Sequence, residues 1–110
     1  MGLTKTEHYT EEQLYLAKCM KVLGHPARVA IFQSILNSQA CICGDLVTEI
    51  GLAQATISQH LRELKAIGLI KGTIDGTSVC YCVDQVNWDK VQSAFLSIDA
   101  KKGSSQDKCC

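Results

Sequence analysis

The chain has 110 residues, and its 11 basic and 11 acidic residues give a formal net charge of zero. This length predicts one domain with a core of its own, small enough for a partner subunit to matter. Because the charges balance, the protein has no overall positive field to attract nucleic acid. Any contact with nucleic acid must therefore depend on the local placement of a few side chains.

No apolar run is long enough to span a membrane, and the polar residues 1–8 do not resemble a signal peptide. We therefore expect a cytoplasmic protein without membrane association. Seven cysteines in such a chain favour reduced thiols used for metal binding or redox sensing over a framework of disulfides.

Two helices are predicted near the N-terminus. Thr10 and Gln13 have the spacing of a capping box, which predicts a helix running to about Leu23. Pro26 suits the first turn of a second helix, Pro26–Asn37, and His25 stands where a cap is needed. Both helices carry an apolar stripe, so we interpret them as structural.

A short helix at 45–50 and a tight turn at 51–53 precede a longer helix that ends at Gly68. This longer helix has apolar residues at helical spacing on one face: Ile57, Leu61 and Leu64. Its other face is predicted to carry hydrogen-bonding side chains suited to base edges and phosphates: Gln54, Thr56, Ser58, Gln59, His60 and Arg62. Taken alone, a solvated polar face with no function explains that pattern equally well.

After Gly68 the apolar period changes to two. Residues 69–74 and 77–83 flank Asp75-Gly76, a sequence typical of a two-residue hairpin turn. A last helix is predicted from an Asn87 cap to Ala100, with an apolar stripe longer than the domain itself needs. We expect this stripe to pack on the first helix of a second subunit.

The sequence thus predicts a mainly α protein with a small β-hairpin, in the order helix, helix, helix, helix, strand, strand, helix. This order is that of a winged helix-turn-helix, here expected to be dimeric. The predicted domain covers 10–100, between an N-terminal arm at 1–9 and a flexible tail at 101–110 that ends in two cysteines.

From Leu14 to Ile98 the sequence resembles the ArsR/SmtB family of small dimeric winged-helix repressors. The resemblance rests on four segments: Leu23–Arg28, Asp45-Leu46, Gln54–Ile70 and Asp75–Tyr81. It implies a homodimer, paired through its first and last helices, that binds a pseudo-palindromic DNA operator and releases it when an effector binds. One departure concerns the recognition helix, because Ala53 and Ala55 stand where the family often has Ser and Pro.

Arsenic-responsive members carry Cys-x-Cys directly before an Asp-Leu pair, and Cys41-Ile42-Cys43 resembles that motif with Gly44 inserted. The resemblance implies that Cys41 and Cys43 capture trivalent arsenic or antimony, while the apo repressor needs no cofactor. Thiolates also suit zinc, cadmium and copper(I), and a further ligand must come from elsewhere. Cys109 or Cys110 of the tail could fold back to supply it, and an exposed chain end with no partner explains these two cysteines equally well.

Three other cysteines are interpreted as structural. Cys19 is expected in the core, and Cys80 and Cys82 are interpreted as small strand residues, with joint binding of a soft metal as the alternative. A redox- or persulfide-responsive repressor, in which two cysteines form a disulfide, remains a second hypothesis. Catalysis is not expected, because no histidine is placed to activate a nucleophilic cysteine.

Overall fold

The computed structural model describes residues 8–38, 41–42, 50–75 and 78–99. Most of the predicted third helix lies outside this part of the chain, and so do Cys43, Cys109, Cys110 and nearly all of the predicted arm and tail.

Helices α1 (Glu11–Leu23) and α2 (Pro26–Asn37) begin and end as the sequence predicts. The capping box of α1 is present, because Gln13 N donates to Thr10 Oγ1 at 3.0 Å and Thr10 N donates to Gln13 Oε1 at 2.9 Å. His25 caps α2, its Nδ1 accepting from Ala27 N at 3.0 Å. Local sequence signals are therefore sufficient to define both helix starts.

Helix α3 (Gln54–Ala66) is the helix with the polar face. Its N-cap residue is Ala53, whose side chain cannot form a capping hydrogen bond, in agreement with the missing serine noted in the sequence. It ends before Gly68, which has a φ of 89°. A Cβ added at Gly68 would lie 2.9 Å from Asn87 Nδ2, so this position requires glycine for both conformation and space.

Strands β1 (Ile70–Asp75) and β2 (Ser78–Val83) form an antiparallel hairpin in which Ile70 pairs with Val83. Asp75 pairs with Ser78, so the prediction that Asp75 is a turn residue is wrong: it ends the strand. On the other edge of β2, Ile42 forms an antiparallel bridge with Tyr81. In that bridge each residue's N–H donates to the other's carbonyl at 3.0 Å.

Helix α4 (Gln85–Leu96) is followed by a 3-10 turn, Ser97–Asp99. The predicted Asn87 cap is wrong, because Asp84 caps the helix and Asp84 Oδ1 accepts from Asn87 N at 3.2 Å. The Asn87 side chain instead donates to the carbonyl of Gly68 at 2.8 Å. A tertiary hydrogen bond to the end of α3 therefore uses the side chain that the sequence suggests for local capping.

The core lies between α3 and the other helices. Ile57, Leu61 and Leu64 of α3 are buried as predicted, together with residues of every other described helix and of the hairpin. Phe32 and Trp88 meet edge to face with their ring centres 4.9 Å apart, which joins α2 to α4. None of the described helices has the length and apolar character needed to cross a bilayer. The helices and hairpin confirm the winged helix-turn-helix fold.

Candidate nucleic-acid interface and thiol site

The outer face of α3 exposes five of the six side chains predicted to lie there: Gln54, Thr56, Ser58, Gln59 and Arg62. All five end in amide, hydroxyl or guanidinium groups, which can donate or accept hydrogen bonds. The first turn adds backbone N–H groups at the helix start, where no side chain caps them. The exposed face therefore combines groups for base edges with groups for phosphate.

Two of these side chains form a hydrogen-bonded chain along the helix. Arg62 Nη1 donates to Gln59 Oε1 at 2.8 Å, and Gln59 Nε2 donates to Glu63 Oε2 at 3.2 Å. These contacts at spacings of three and four residues limit the rotamers of the Gln59 amide. The Gln59 amide thus accepts from Arg62 with its oxygen and donates to Glu63 with its nitrogen.

His60 is not on that face, and its predicted place there is wrong. Its side chain is only 7% exposed and belongs to the buried face of α3. The sequence contained the signal, because His60 is three residues after Ile57 and four before Leu64, the spacing of one helical stripe. His60 is therefore not available for contact with DNA.

His60 joins α3 to the junction between α1 and α2. Arg28 Nε donates to His60 Nδ1 at 3.0 Å, and Arg28 Nη1 donates to the carbonyl of Val22 at 3.2 Å. The His25 ring lies 4.8 Å from that of His60. Burial lowers the pKa of His60, and the nearby Arg28 and His25 lower it further, against an opposite effect of Glu63. His60 is therefore a neutral acceptor that fixes the position of α3.

Cys41 and Cys82 form a disulfide. The sequence prediction of reduced thiols does not describe this state. The Ile42–Tyr81 bridge places Cys41 and Cys82 directly opposite each other as its neighbouring pair, with Cα atoms 4.7 Å apart. This distance is close to the roughly 4.5 Å of a non-hydrogen-bonded antiparallel pair. Strand register therefore brings the two sulfurs together across 41 positions of sequence.

Cys80 also belongs to this region. It is 3% exposed, it takes part in a disulfide, and it shares a face of β2 with Cys82 because side chains alternate along a strand. The interpretation of Cys80 and Cys82 as merely small strand residues is therefore wrong. In this disulfide-bonded state, the described part of the chain contains no group of three His, Cys, Asp or Glu side chains arranged around an ion.

Cys19 is the free cysteine among the described residues, and it is fully buried. Burial raises the pKa of its thiol, which a hydrogen bond with Tyr15 only partly offsets. Burial, with contributions from Cys19 and Asp84, raises the pKa of Tyr15 to about 12, and its hydroxyl donates to the carbonyl of Ile67 at 3.2 Å. A protonated, enclosed thiol is a poor ligand, so the expected core role of Cys19 is confirmed.

Residues 25–71, which include α2, α3 and the start of β1, match the family described as bacterial regulatory protein, arsR family. An uncharacterised HTH-type transcriptional regulator of Methanocaldococcus jannaschii is 33% identical over 85 residues, covering 76% of this chain and 90% of that protein. The HTH-type transcriptional repressor SmtB of Mycobacterium tuberculosis is 37% identical over 62 residues, covering 56% of this chain but only 45% of SmtB.

Among solved structures, an ArsR-like transcriptional regulator from Rhodococcus sp. RHA1 has the same fold, with a TM-score of 0.72 and 22% identity. The similarity covers 83% of this chain and 85% of that protein. Both relatives and this neighbour are transcriptional regulators rather than enzymes. Given the family match and a relative aligned over nearly its whole length, the chain belongs to the ArsR family of bacterial regulatory proteins.

Proposed function

We propose that this protein is a dimeric, cytoplasmic transcriptional repressor that binds a pseudo-palindromic operator and releases it when its thiolates capture trivalent arsenic or antimony. The exposed hydrogen-bonding face of α3 is the observation that carries the DNA-binding part of the proposal. In a winged helix-turn-helix, this helix enters the major groove.

The chemistry of the face supports base reading. A glutamine amide pairs with the N6 and N7 edge of adenine, and an arginine with the O6 and N7 edge of guanine. Gln59 and Arg62 already contact each other, so a base contact by either one constrains the other. Thr56, Ser58 and the free N–H groups of the first turn suit phosphates, which fix the register of the helix on DNA.

Exposed apolar side chains on α1 and α4 support the dimer. Phe95 is 55% exposed and lines an apolar groove of about 380 Å³. The groove lies between residues of both helices: Met20, Trp88, Val91, Gln92, Phe95 and Leu96. A second copy would cover this surface with the same surface of its own, as a twofold interface requires.

The thiols support the effector part of the proposal. Thiolates are the ligands preferred by soft ions, and Cys41 lies within bonding distance of another cysteine. In this proposal Cys43, Cys109 and Cys110 remain candidate ligands from the sequence. An effector needs a coupling of about 1–3 kcal/mol to change DNA affinity roughly 5- to 150-fold.

A second candidate is a thiol-redox repressor, and a specific observation favours it. The Cys41–Cys82 pair is a disulfide with a Cα separation of 4.7 Å, inside the limit of about 7 Å for such bonds. In that case oxidation, rather than an ion, changes operator affinity. A repressor that responds to cadmium, zinc or copper(I) is the third outcome that the experiment distinguishes.

The deciding experiment measures fluorescence anisotropy of the reduced protein on labelled DNA from upstream of its own gene, under anaerobic conditions. The titration is repeated with arsenite, with antimonite, with cadmium, zinc and copper(I) in turn, and after oxidation by a disulfide reagent. Release by arsenite or antimonite alone supports the metalloid repressor, and release by oxidation alone supports the redox candidate. Tight binding that no treatment changes contradicts every form of effector control.

Variants of α3 test the DNA-binding face directly. We expect Arg62→Ala and Gln59→Ala to weaken operator binding by about 1–3 kcal/mol each, the value of a good base contact. Lys18→Ala on α1 and Gln33→Ala on α2 change exposed residues of similar type away from this face, and should leave affinity unchanged. Equal affinity of all four variants would contradict the proposed interface.

The dimer is tested by sedimentation of Phe95→Asp, which places a charge in the apolar groove. We expect a monomer that keeps the helix content of the wild type and binds a full operator much more weakly. Val79→Asp, on the exposed part of the hairpin, is the matched control and should remain dimeric. A wild-type protein that sediments as a monomer at all concentrations would overturn the proposed assembly.

A further inference from the structure

We propose that the effector site is completed by the hairpin rather than by the C-terminal tail: Cys41, Cys80 and Cys82 form a three-sulfur site for a thiophilic trivalent ion of the arsenic type. This inference rests on the proposed function for its biological role, but the site itself can be tested without DNA. The inference is based on the position of Cys41 directly beside β2, opposite Cys82.

The bridge between Ile42 and Tyr81 defines the geometry. Because both N–H groups of the pair donate, at 3.0 Å each, the register of this short antiparallel contact is fixed. Cys41 then lies opposite Cys82, and their sulfurs are bonded to each other. A pair already close enough for a disulfide is also close enough for two bonds to one ion, because metal–thiolate bonds are about 2.3 Å long.

Cys80 is the third member because of its place on β2. It is two residues from Cys82 and therefore on the same face of the strand. Relative to Cys41 it is the diagonal neighbour, and diagonal pairs lie about 7–8 Å apart at their Cα atoms, within reach of longer side chains. An ion bound to both the Cys41 and the Cys80 sulfur would bridge this longer separation.

The surroundings suit a neutral thiolate complex. Cys80 is almost completely buried and Cys82 is half-buried, whereas Cys41 is exposed. A trivalent ion with three thiolates has no net charge, so burial carries a small desolvation cost compared with a charged complex.

Binding requires the reduced thiols. Each arsenite As–O bond is then exchanged for an As–S bond, and each thiol proton leaves with a hydroxide as water. Three thiols release three waters from As(OH)₃, arsenic stays trivalent, and no electron transfer occurs. Cys41 and Cys82 are bonded to each other and Cys80 takes part in a disulfide of its own, so both bonds must be reduced before the ion binds.

An ion bound at this site would act on α3 through the chain segments at both ends of the helix. Cys41 precedes the helix-turn-helix, whereas Cys82 lies in the hairpin that follows α3. The end of α3 is attached to this hairpin region, because Leu69 N donates to the carbonyl of Leu64 and Asp84 N to that of Leu69. A sulfur-bound ion thus connects the segments on either side of the DNA-binding helix.

The test uses the full chain, reduced by a phosphine that is itself oxidised to its oxide and then removed. Native mass spectrometry with arsenite counts the protons lost per arsenic: three for a three-thiolate site, and two where one As–OH remains. We expect three for the wild type and for Cys109→Ser/Cys110→Ser. Cys80→Ser should lose two, and Cys82→Ser should lose two or fail to retain arsenic.

Alkylation of the wild type gives a second measurement that does not depend on the folding of any variant. Peptide mapping after iodoacetamide should show arsenite protecting Cys41, Cys80 and Cys82. Protection confined to Cys41, Cys43 and the tail, or unchanged binding by the Cys80→Ser and Cys82→Ser variants, would overturn the proposed site. If protection is as expected but arsenite leaves operator binding unchanged, the site stands and the proposed arsenic response fails.

Discussion

Helix α3 is attached to the rest of the fold by two different kinds of contact. On one side His60 accepts a hydrogen bond from Arg28, in a buried contact that involves no redox chemistry. On the other side, the segment before the helix-turn-helix and the hairpin after it are joined through the Cys41–Cys82 disulfide. The first contact persists in any redox state, whereas the second changes with reductant and with thiophilic ions.

This difference assigns the two sides different roles. The Arg28–His60 contact holds α3 against α2, so we expect its contribution to stability to be the same in the oxidised, reduced and ion-bound states. The sulfur contact involves no buried residue of α3 and joins the preceding segment to the hairpin, so we expect stability and operator binding to change when it opens. Four predictions test this division, in order of decreasing effect on stability.

Reduction should have the largest effect. The Cys41–Cys82 bond closes a loop with a sequence separation of 41, and a disulfide of this kind contributes typically about 2–4 kcal/mol, mainly by constraining the unfolded chain. We expect urea unfolding in the presence of a phosphine reductant to show a midpoint lowered accordingly. The Cys41→Ser/Cys82→Ser variant keeps only the disulfide in which Cys80 takes part, so its midpoint should fall by less on reduction. Identical urea midpoints with and without reductant would show that the Cys41–Cys82 disulfide does not stabilise the fold.

Arg28→Ala should destabilise the protein by about 1–3 kcal/mol, because it leaves the buried Nδ1 of His60 without its donor. Arg62→Ala is the matched control, an arginine on the exposed face of α3, and should change stability by less than about 0.5 kcal/mol. Thermal unfolding of the two variants measures the difference. If both lose the same stability, the buried contact is no more important than the surface one.

Ala53→Ser should stabilise the protein by about 1 kcal/mol, by adding the missing side-chain cap at the start of α3. Ala55→Ser, the same change inside the first turn, provides no cap and should be neutral or slightly destabilising. Chemical denaturation of both variants makes the comparison. A gain at Ala55 but none at Ala53 would show that the start of α3 is held by something other than capping.

Mild acid should have the smallest effect on stability, because it acts on the Arg28–His60 contact and not on the disulfide. Burial beside Arg28 and His25 lowers the pKa of His60 below its usual 6.5, so the unfolded chain binds a proton that the folded protein does not. The folding free energy contributed by neutral His60 is therefore complete above about pH 6.5 and decreases as the pH falls toward the lowered pKa.

Unfolding of the wild type at a series of pH values, compared with His60→Gln, isolates this contribution. The glutamine keeps an acceptor for Arg28 but does not titrate in this range, so we expect its stability to depend less on pH. A wild type and variant with the same pH profile would mean that His60 is not the neutral, buried acceptor described above.

Local sequence determined most of the fold. Helix starts at Thr10 and His25, the end of α3 at Gly68, and the pairing of two strands each depend on residues within a few positions of each other, so they could be predicted from the chain. The exposed polar side chains of α3 were also predictable, because a helical period places them opposite Ile57, Leu61 and Leu64.

Only the tertiary structure decided how the remaining chemical groups are used. His60 and Asn87 are polar residues with plausible local roles, but each hydrogen bonds to a residue far along the chain, Arg28 and Gly68 respectively. Cys41 and Cys82 meet through strand register, which the sequence around either cysteine does not contain. Backbone periodicity is a local property, whereas the partner of a polar or sulfur-containing side chain depends on which distant segments pack together.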